Sequence, residues 1–116
     1  MRYTDEQRLE KIFKYSTMLR QYIEEMHVDE QKLLDDYRIQ WAITTPLYNI
    51  GEHAYALSKE FKEQHDDIPW NIIASLRHRL VHDYEGTNWS IISDVVFQEL
   101  PVLSEKVKDI LQESDH

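Results

Sequence analysis

Apolar residues recur at helical spacing along most of this chain, and the spacing divides it into separate helical segments. The first segment covers residues 4–26, where Thr4 is suited to cap a helix whose first turn is acidic. Its apolar positions are Leu9, Ile12, Phe13, Leu19, Ile23 and Met26. Because these positions share one face at about 100° per residue, they predict an amphipathic helix.

A second and longer helix is predicted from about residue 29 to about residue 64, and it is apolar on two sides. One stripe consists of Ile39, Ile43, Leu47, Ile50, Ala54, Leu57 and Phe61, and the other of Tyr37, Trp41, Tyr48 and Tyr55. Such a helix is usually central in a bundle or shared with a partner chain, and we expect both stripes to be core. Pro46 predicts a kink, and Gly51 would allow a neighbouring helix to approach closely.

The rest of the pattern predicts three more helices. A helix over 70–84 follows Pro69, which is suited to a first helical position. A fourth helix begins after Thr87 or Asn88, and Pro101 should end it before a last helix over 102–111.

Length and composition favour one small helical domain. With 116 residues, two glycines and three prolines, the chain forms a single domain over 1–116 with short connections. We predict an all-α fold, an antiparallel bundle of four to five helices. Cysteine is absent and no stretch reads as a transmembrane helix or a signal peptide, which indicates a cytoplasmic protein that does not enter a membrane.

The charge of the chain limits how it could bind nucleic acid. A net charge of −9 argues against broad, non-specific binding. RNA or DNA would have to meet a local basic patch, and the best candidate is the run Arg77, His78, Arg79 and His82. The acidic remainder would equally suit a basic protein partner.

Arg77 and His82 are the strongest candidates for chemistry. Arg77 falls within the apolar stripe of its helix, where an arginine is costly unless it is paired or faces a wet cleft. His82 lies near the predicted helix end, where the helix dipole favours a cationic imidazole suited to proton transfer. The alternative is that His78, Arg79 and His82 only complement the dipole in solvent.

A metal site is a second alternative. His78 and His82 are four residues apart, so both rings could reach one ion, with His53 as a third ligand. Such spacings arise easily by chance, and no His-Glu-x-x-His pattern is present. We predict neither a metal nor another cofactor.

Arg77, four residues, His82, one residue and Tyr84 match the R-x4-H-x-Y signature of HEPN-domain proteins. The chain resembles their HepT-like toxins in particular, and the likeness extends over nearly its whole length. The further phrases that carry it are Ile50-Gly51-Glu52, Ile68-Pro69-Trp70 and Glu99-Leu100-Pro101.

This resemblance implies a HEPN-type homodimer whose two motifs line a shared cleft, and a metal-independent ribonuclease toxin of a type VII toxin–antitoxin pair. It implies acid/base chemistry by His82 and phosphate binding by Arg77. His78 and Arg79 are candidate supporting contacts to an RNA such as a tRNA or an mRNA. The implied partner is an MntA-like nucleotidyltransferase antitoxin that transfers AMP to Tyr84, a residue that could also position RNA.

Several HEPN domains bind nucleotides or proteins without cleaving RNA. The alternative function is therefore a non-catalytic interaction or nucleotide-binding module that partners a nucleotidyltransferase. It predicts that His82→Ala leaves both partner binding and cellular activity intact.

Overall fold

A computed structural model of the chain describes residues 2–81 and 86–114, and in these residues every regular element is helical. The elements are α1 (Asp5–Glu25), α2 (Glu30–Asp35), α3 (Tyr37–Ala56), α4 (Lys59–Gln64), α5 (Trp70–Val81), α6 (Trp89–Asp94), a π-helical segment (Val95–Glu99) and α7 (Leu100–Ser114). The predicted all-α class is confirmed. Over the same residues, no helix combines the length and the apolar character needed to cross a membrane.

The first helix begins where the sequence predicts. The side chain of Thr4 accepts a hydrogen bond from Gln7 N, and the Gln7 side chain accepts one from Thr4 N. This reciprocal capping box satisfies two backbone donors that a helix start leaves without partners. The start of α1 is therefore fixed by local chemistry as well as by packing.

The single long helix predicted over 29–64 is wrong, because two short polar side chains divide it. Asp36 has an extended backbone and accepts a hydrogen bond from Arg38 N, so it ends α2 and caps α3. Ser58 is also extended and accepts one from Phe61 N, which starts α4. Such side chains offer the backbone an alternative to the helix, although the apolar period continues across both sites.

Neither Pro46 nor Pro101 ends a helix. Pro46 lies inside α3, which continues through it, and the predicted kink stays a prediction. The predicted helix end at Pro101 is wrong, since α7 already includes this residue. The π-helical segment explains why the helix continues at Pro101. Leu100 N donates to Val95 O, five residues back, in the wider turn just before the proline.

Helix α3 packs against both α1 and α5, and α1 runs antiparallel to it. The start of α1 meets the end of α3, where Asp5 accepts hydrogen bonds from Ser58 N and Ser58 Oγ at 2.9 and 2.7 Å. The side of α3 that carries Ile43, Leu47 and Ile50 is completely buried. The predicted central position of this helix, and its first stripe as core, are confirmed.

The second stripe of α3 is not core, contrary to our expectation. Tyr37, Trp41 and Tyr55 are 58, 57 and 57% exposed, and Tyr48 is half-buried. Because α1 and α5 pack against the flanks of α3, the aromatic stripe is left on its outer face. We call Tyr37, Trp41, Tyr48 and Tyr55 the aromatic row.

Candidate functional site

Helices α3 and α5 approach each other closely at Gly51. A Cβ atom added there would stand 2.7 Å from Arg77 N, 3.0 Å from Leu76 Cβ and 3.2 Å from Ile73 O. Two of these three atoms belong to the backbone of α5, which cannot rotate away as a side chain can. The predicted close approach at Gly51 is confirmed, and it fixes the height and distance of Arg77 relative to α3.

We expect Gly51→Ala to lower the free energy of unfolding by about 1–2 kcal/mol, although alanine is the better helix former. Overpacking costs about 1–3 kcal/mol, and the gain in helix propensity returns about 1 kcal/mol at most. Urea unfolding followed by circular dichroism measures the difference. Helix propensity alone predicts that the alanine variant is more stable. A higher free energy of unfolding for Gly51→Ala would therefore contradict the tight contact between α3 and α5.

Arg77 is held by two side chains of α3 that are one turn apart. Its Nε lies 3.4 Å from Glu52 Oε2, and its guanidinium carbon lies 4.0 Å from the centre of the Tyr55 ring. The arginine side chain is 35% exposed and Glu52 is 40% exposed, so the group is open to solvent. These contacts explain how an arginine can lie in the same helical stripe as the buried Ile73 and Leu80: it is paired, and it is also partly exposed to water.

The ion pair and the ring contact each contribute modestly to stability. A half-exposed pair is worth about 0–1 kcal/mol, and a cation–π contact about 0.5–2 kcal/mol. Their main effect is geometric, because they hold the Nε edge and one face of the guanidinium. The N–H groups on the two terminal nitrogens of Arg77 have no acceptor among residues 2–81 and 86–114, and they can meet an incoming oxyanion.

Glu52 also links Arg77 to Tyr48. The carboxylate raises the pKa of Tyr48, mainly through a hydrogen bond with the phenol and then through its negative charge, while Arg77 acts in the opposite direction. A tyrosine phenol is protonated at neutral pH in any case, and the raised pKa of Tyr48 extends its role as a hydrogen-bond donor to more alkaline solution. One carboxylate thus organises two polar groups beside the exposed edge of Arg77.

The other residues of the predicted basic run are only partly within the described structure. His78 and Arg79 are both exposed on α5, and Arg79 O accepts a hydrogen bond from Thr87 Oγ1 at 3.2 Å. His82 and Tyr84 lie outside the described residues. The roles predicted for all four, and for Arg77, stay predictions.

The alternative metal site depended on His53, which the structure places against α1. His53 Nδ1 lies 3.2 Å from Arg8 Nη1, and the ring packs edge-on against Tyr3. Burial lowers the pKa of His53, and the positive charges of Arg8 and Lys11 lower it further. Within the ranges that the structure describes, no three His, Cys, Asp or Glu side chains are placed to hold a metal ion.

Glu52 and Tyr55 are the site residues that sequence reasoning missed as such. The apolar pattern predicts Tyr55 as core, and the sequence marks Glu52 only through the phrase Ile50-Gly51-Glu52. A usable signal was present: Arg77 in an apolar stripe requires a partner, and Glu52 directly follows the glycine at which another helix can approach. Taken together, these two features indicate Glu52 as the partner of Arg77.

With this geometry established, the chain can be compared with known proteins. The family model described as Ribonuclease HepT-like matches residues 12–110, which is most of the chain. The chain belongs to the HepT-like ribonuclease family. The predicted family resemblance is thereby confirmed.

Individual HepT-like relatives agree with this assignment. A protein of Thermococcus cleftensis, named "Probable ribonuclease HepT", is 28% identical over 102 residues, which are 88% of this chain and 91% of the relative. A Methanocaldococcus jannaschii protein named "Putative RNase" is 32% identical over 92 residues, covering 79% of this chain and 74% of the relative.

A third relative is more similar over a shorter segment. The "Putative RNase" of Caldanaerobacter subterraneus subsp. tengcongensis is 44% identical over 71 residues. That match spans 61% of this chain and 63% of the relative's length, somewhat less than two thirds. No solved structure gives a significant match to the chain.

Proposed function

We propose that this protein is an endoribonuclease that cleaves RNA without a metal ion, with Arg77 and His82 as its reactive residues. The observation that carries the proposal is the arrangement of Arg77 in a HepT-like ribonuclease chain: an open guanidinium held by Glu52 and Tyr55. The names of the relatives from Thermococcus and Caldanaerobacter also support it.

The chemistry that fits these residues is attack of a ribose 2′-hydroxyl on the adjacent phosphate. The 2′-hydroxyl gives up its proton as a bond forms between the 2′-oxygen and phosphorus. The bond from phosphorus to the 5′-oxygen breaks and the 5′-oxygen takes up a proton, which leaves a 2′,3′-cyclic phosphate and a 5′-hydroxyl. Arg77 stabilises the charge that gathers on the non-bridging oxygens, for which its planar fork is suited. His82 moves a proton on or off one of the reacting oxygens.

The biological role that we propose is that of a toxin controlled by a nucleotidyltransferase. An MntA-like antitoxin would transfer AMP to Tyr84, with the phenol oxygen attacking the α-phosphate of ATP and pyrophosphate leaving. The added group would place bulk and negative charge two residues from His82. Both effects oppose the entry of a phosphodiester substrate.

We propose that the working form is a homodimer with two motifs at one cleft. The aromatic row supports this, because three large aromatic side chains more than half exposed on one helix are typical of an interaction surface. The row ends at Tyr55, which contacts Arg77, so a second copy seated on it would border the proposed site.

Cleavage of RNA by the purified protein in EDTA tests the proposal. We expect the unmodified protein to cut at least one RNA of a panel that includes tRNA and mRNA. Native mass spectrometry of the same preparation should show a dimer of about 28 kDa, twice the 14.0 kDa of the chain. It should also show one added AMP per chain after incubation with ATP and an MntA-like enzyme.

Material purified identically from cells without the gene controls for contaminating ribonuclease. If the unmodified protein leaves the whole panel intact, the non-catalytic binding module becomes the better account. A monomer that cleaves RNA would contradict the shared cleft while leaving the reaction in place.

A further inference from the structure

A second group of basic and aromatic side chains lies where the start of α1 meets the end of α3. Arg8 Cζ and Lys11 Nζ lie 5.5 and 6.0 Å from the centre of the Tyr3 ring. The ring of His53 packs edge-on against the same tyrosine, with the ring centres 5.5 Å apart. We call Tyr3, Arg8, Lys11 and His53 the Tyr3 cluster; all four are half-buried.

The positive charges of the Tyr3 cluster are not neutralised by acidic side chains. Among the described residues, neither Arg8 nor Lys11 has a carboxylate oxygen within ion-pair distance, whereas Arg38, Lys59, Arg77 and Lys106 each have one. Asp5, one turn before Arg8, has both its carboxylate oxygens bound to Ser58. Lys14 and Lys62 also lie near an aromatic ring without an ion pair in the described part of the chain, but at Tyr3 two such cations share one ring.

The imidazole of His53 responds to this local positive potential. Its Nδ1 faces the Arg8 guanidinium at 3.2 Å, a contact in which a neutral ring accepts a hydrogen bond. Arg8 and Lys11 both disfavour a charge on the ring. An anion bound by the two cations would offset their mutual repulsion.

The Tyr3 cluster adjoins the proposed reaction site through consecutive residues of α3. Glu52 contacts Arg77 on the α5 side, and His53 contacts Arg8 on the α1 side. The surface of α3 beside the aromatic row, where Glu52 and His53 lie, is therefore situated between Arg77 and the two cations of α1. A strand of RNA that leaves Arg77 across this surface would meet a second positive site.

We propose that the Tyr3 cluster is an RNA-binding subsite, in which Arg8 and Lys11 hold a backbone phosphate of single-stranded RNA away from the scissile one. The inference rests on the proposed ribonuclease function and deepens it. Phosphate contacts position a strand without reading its sequence, and the aromatic ring orients the cations. The subsite contributes to the binding of long RNA and not to the reaction at Arg77.

Fluorescence anisotropy with a labelled single-stranded RNA tests the subsite in an uncleaving His82→Ala background. The Arg8→Gln/Lys11→Gln protein should bind the RNA roughly tenfold more weakly. The plot of log K against log salt concentration should also become less steep, by about 0.7–1.4 in its slope. Arg20→Gln/Lys108→Gln, which removes two exposed cations elsewhere, is the matched control and should keep both values. Thermal unfolding of each protein checks the fold.

Two further measurements separate binding from structural damage. Lys11→Glu, which preserves the contact between Arg8 and His53, should weaken RNA binding more than Lys11→Gln does. With His82 present, Arg8→Gln/Lys11→Gln should raise KM for long RNA at least severalfold. It should leave cleavage of a dinucleoside monophosphate unchanged, because the single phosphate of that substrate is the scissile one.

The outcomes distinguish this inference from the proposed function. If the natural protein cleaves RNA but the Tyr3-cluster variant binds RNA with the control's affinity and salt slope, the subsite is wrong and the ribonuclease stands. Absence of RNA binding by the natural sequence, or equal loss of dinucleoside monophosphate cleavage, would also overturn the subsite. Binding that depends on Arg8 and Lys11 without any cleavage would retain the subsite and refute the ribonuclease.

Discussion

RNA cleavage by the His82→Ala protein is expected to fall by about two to four orders of magnitude, which is the usual contribution of a general acid or base. An imidazole can exchange a proton near neutral pH and a methyl group cannot. The change should appear in the rate constant of the cleavage step, measured under single-turnover conditions, with little change in the affinity for RNA. The same preparation should still form a dimer.

The chain provides a matched control for this loss. His27→Asn removes a different imidazole, at the end of α1, where the backbone has a positive φ of 52° that asparagine tolerates. Since the antiparallel packing puts this residue at the opposite end of α1 from the Tyr3 cluster and Arg77, cleavage should be unaffected. Equal activity of the His82→Ala and natural proteins would refute acid/base work by His82.

For Arg77→Ala we expect a loss of about two to three orders of magnitude in kcat, the size seen when one preorganised donor to a developing oxyanion is removed. Arg77→Lys should recover only part of the activity, because lysine keeps the charge but lacks the planar fork and the stacking on Tyr55. Single-turnover cleavage of one RNA measures all three proteins. Arg20→Ala, an exposed arginine on α1, is the control.

The partners of Arg77 make this prediction more specific. Glu52→Gln keeps the shape of the side chain but removes the charge, so the guanidinium should be less well held and kcat should fall less than in Arg77→Ala. If Glu52→Gln equalled Arg77→Ala, the carboxylate would have a chemical role of its own. If Arg77→Ala cleaved normally, the proposed phosphate contact would be excluded.

Local chemistry made part of the fold predictable. Both helix starts involve residues close in sequence: the sequence predicts the cap at Thr4, and it predicts Thr87 or Asn88 as the second cap, of which the structure uses Asn88. The breaks at Asp36 and Ser58 were equally local, but a continuous apolar period concealed them. The helical spacing of apolar residues predicts which face of a segment packs. It does not predict whether the backbone stays helical between two packed turns.

The aromatic row and the pairing of Arg77 could not be obtained in the same way. Whether Trp41 is core or surface depends on which sides of α3 its neighbours occupy, and that is a property of the assembled bundle. The contact between Arg77 and Glu52 joins residues on different helices. The sequence indicates that Arg77 needs a partner, while the identity of the partner follows from the height at which α5 meets Gly51.

The π-helical segment Val95–Glu99 has a consequence for how the length of this chain can vary. A π turn contains one residue more than the α turn that it replaces, so the register after it is offset by about 100°. Since the π turn takes up its extra residue within about the rotation of one α turn, deletion of a single residue there would restore a regular helix and leave the buried Leu103 and Val107 facing the core. This segment is thus where the chain could lose one residue with the least effect on packing, whereas a deletion within regular α7 would turn the apolar residues that follow by about 100°.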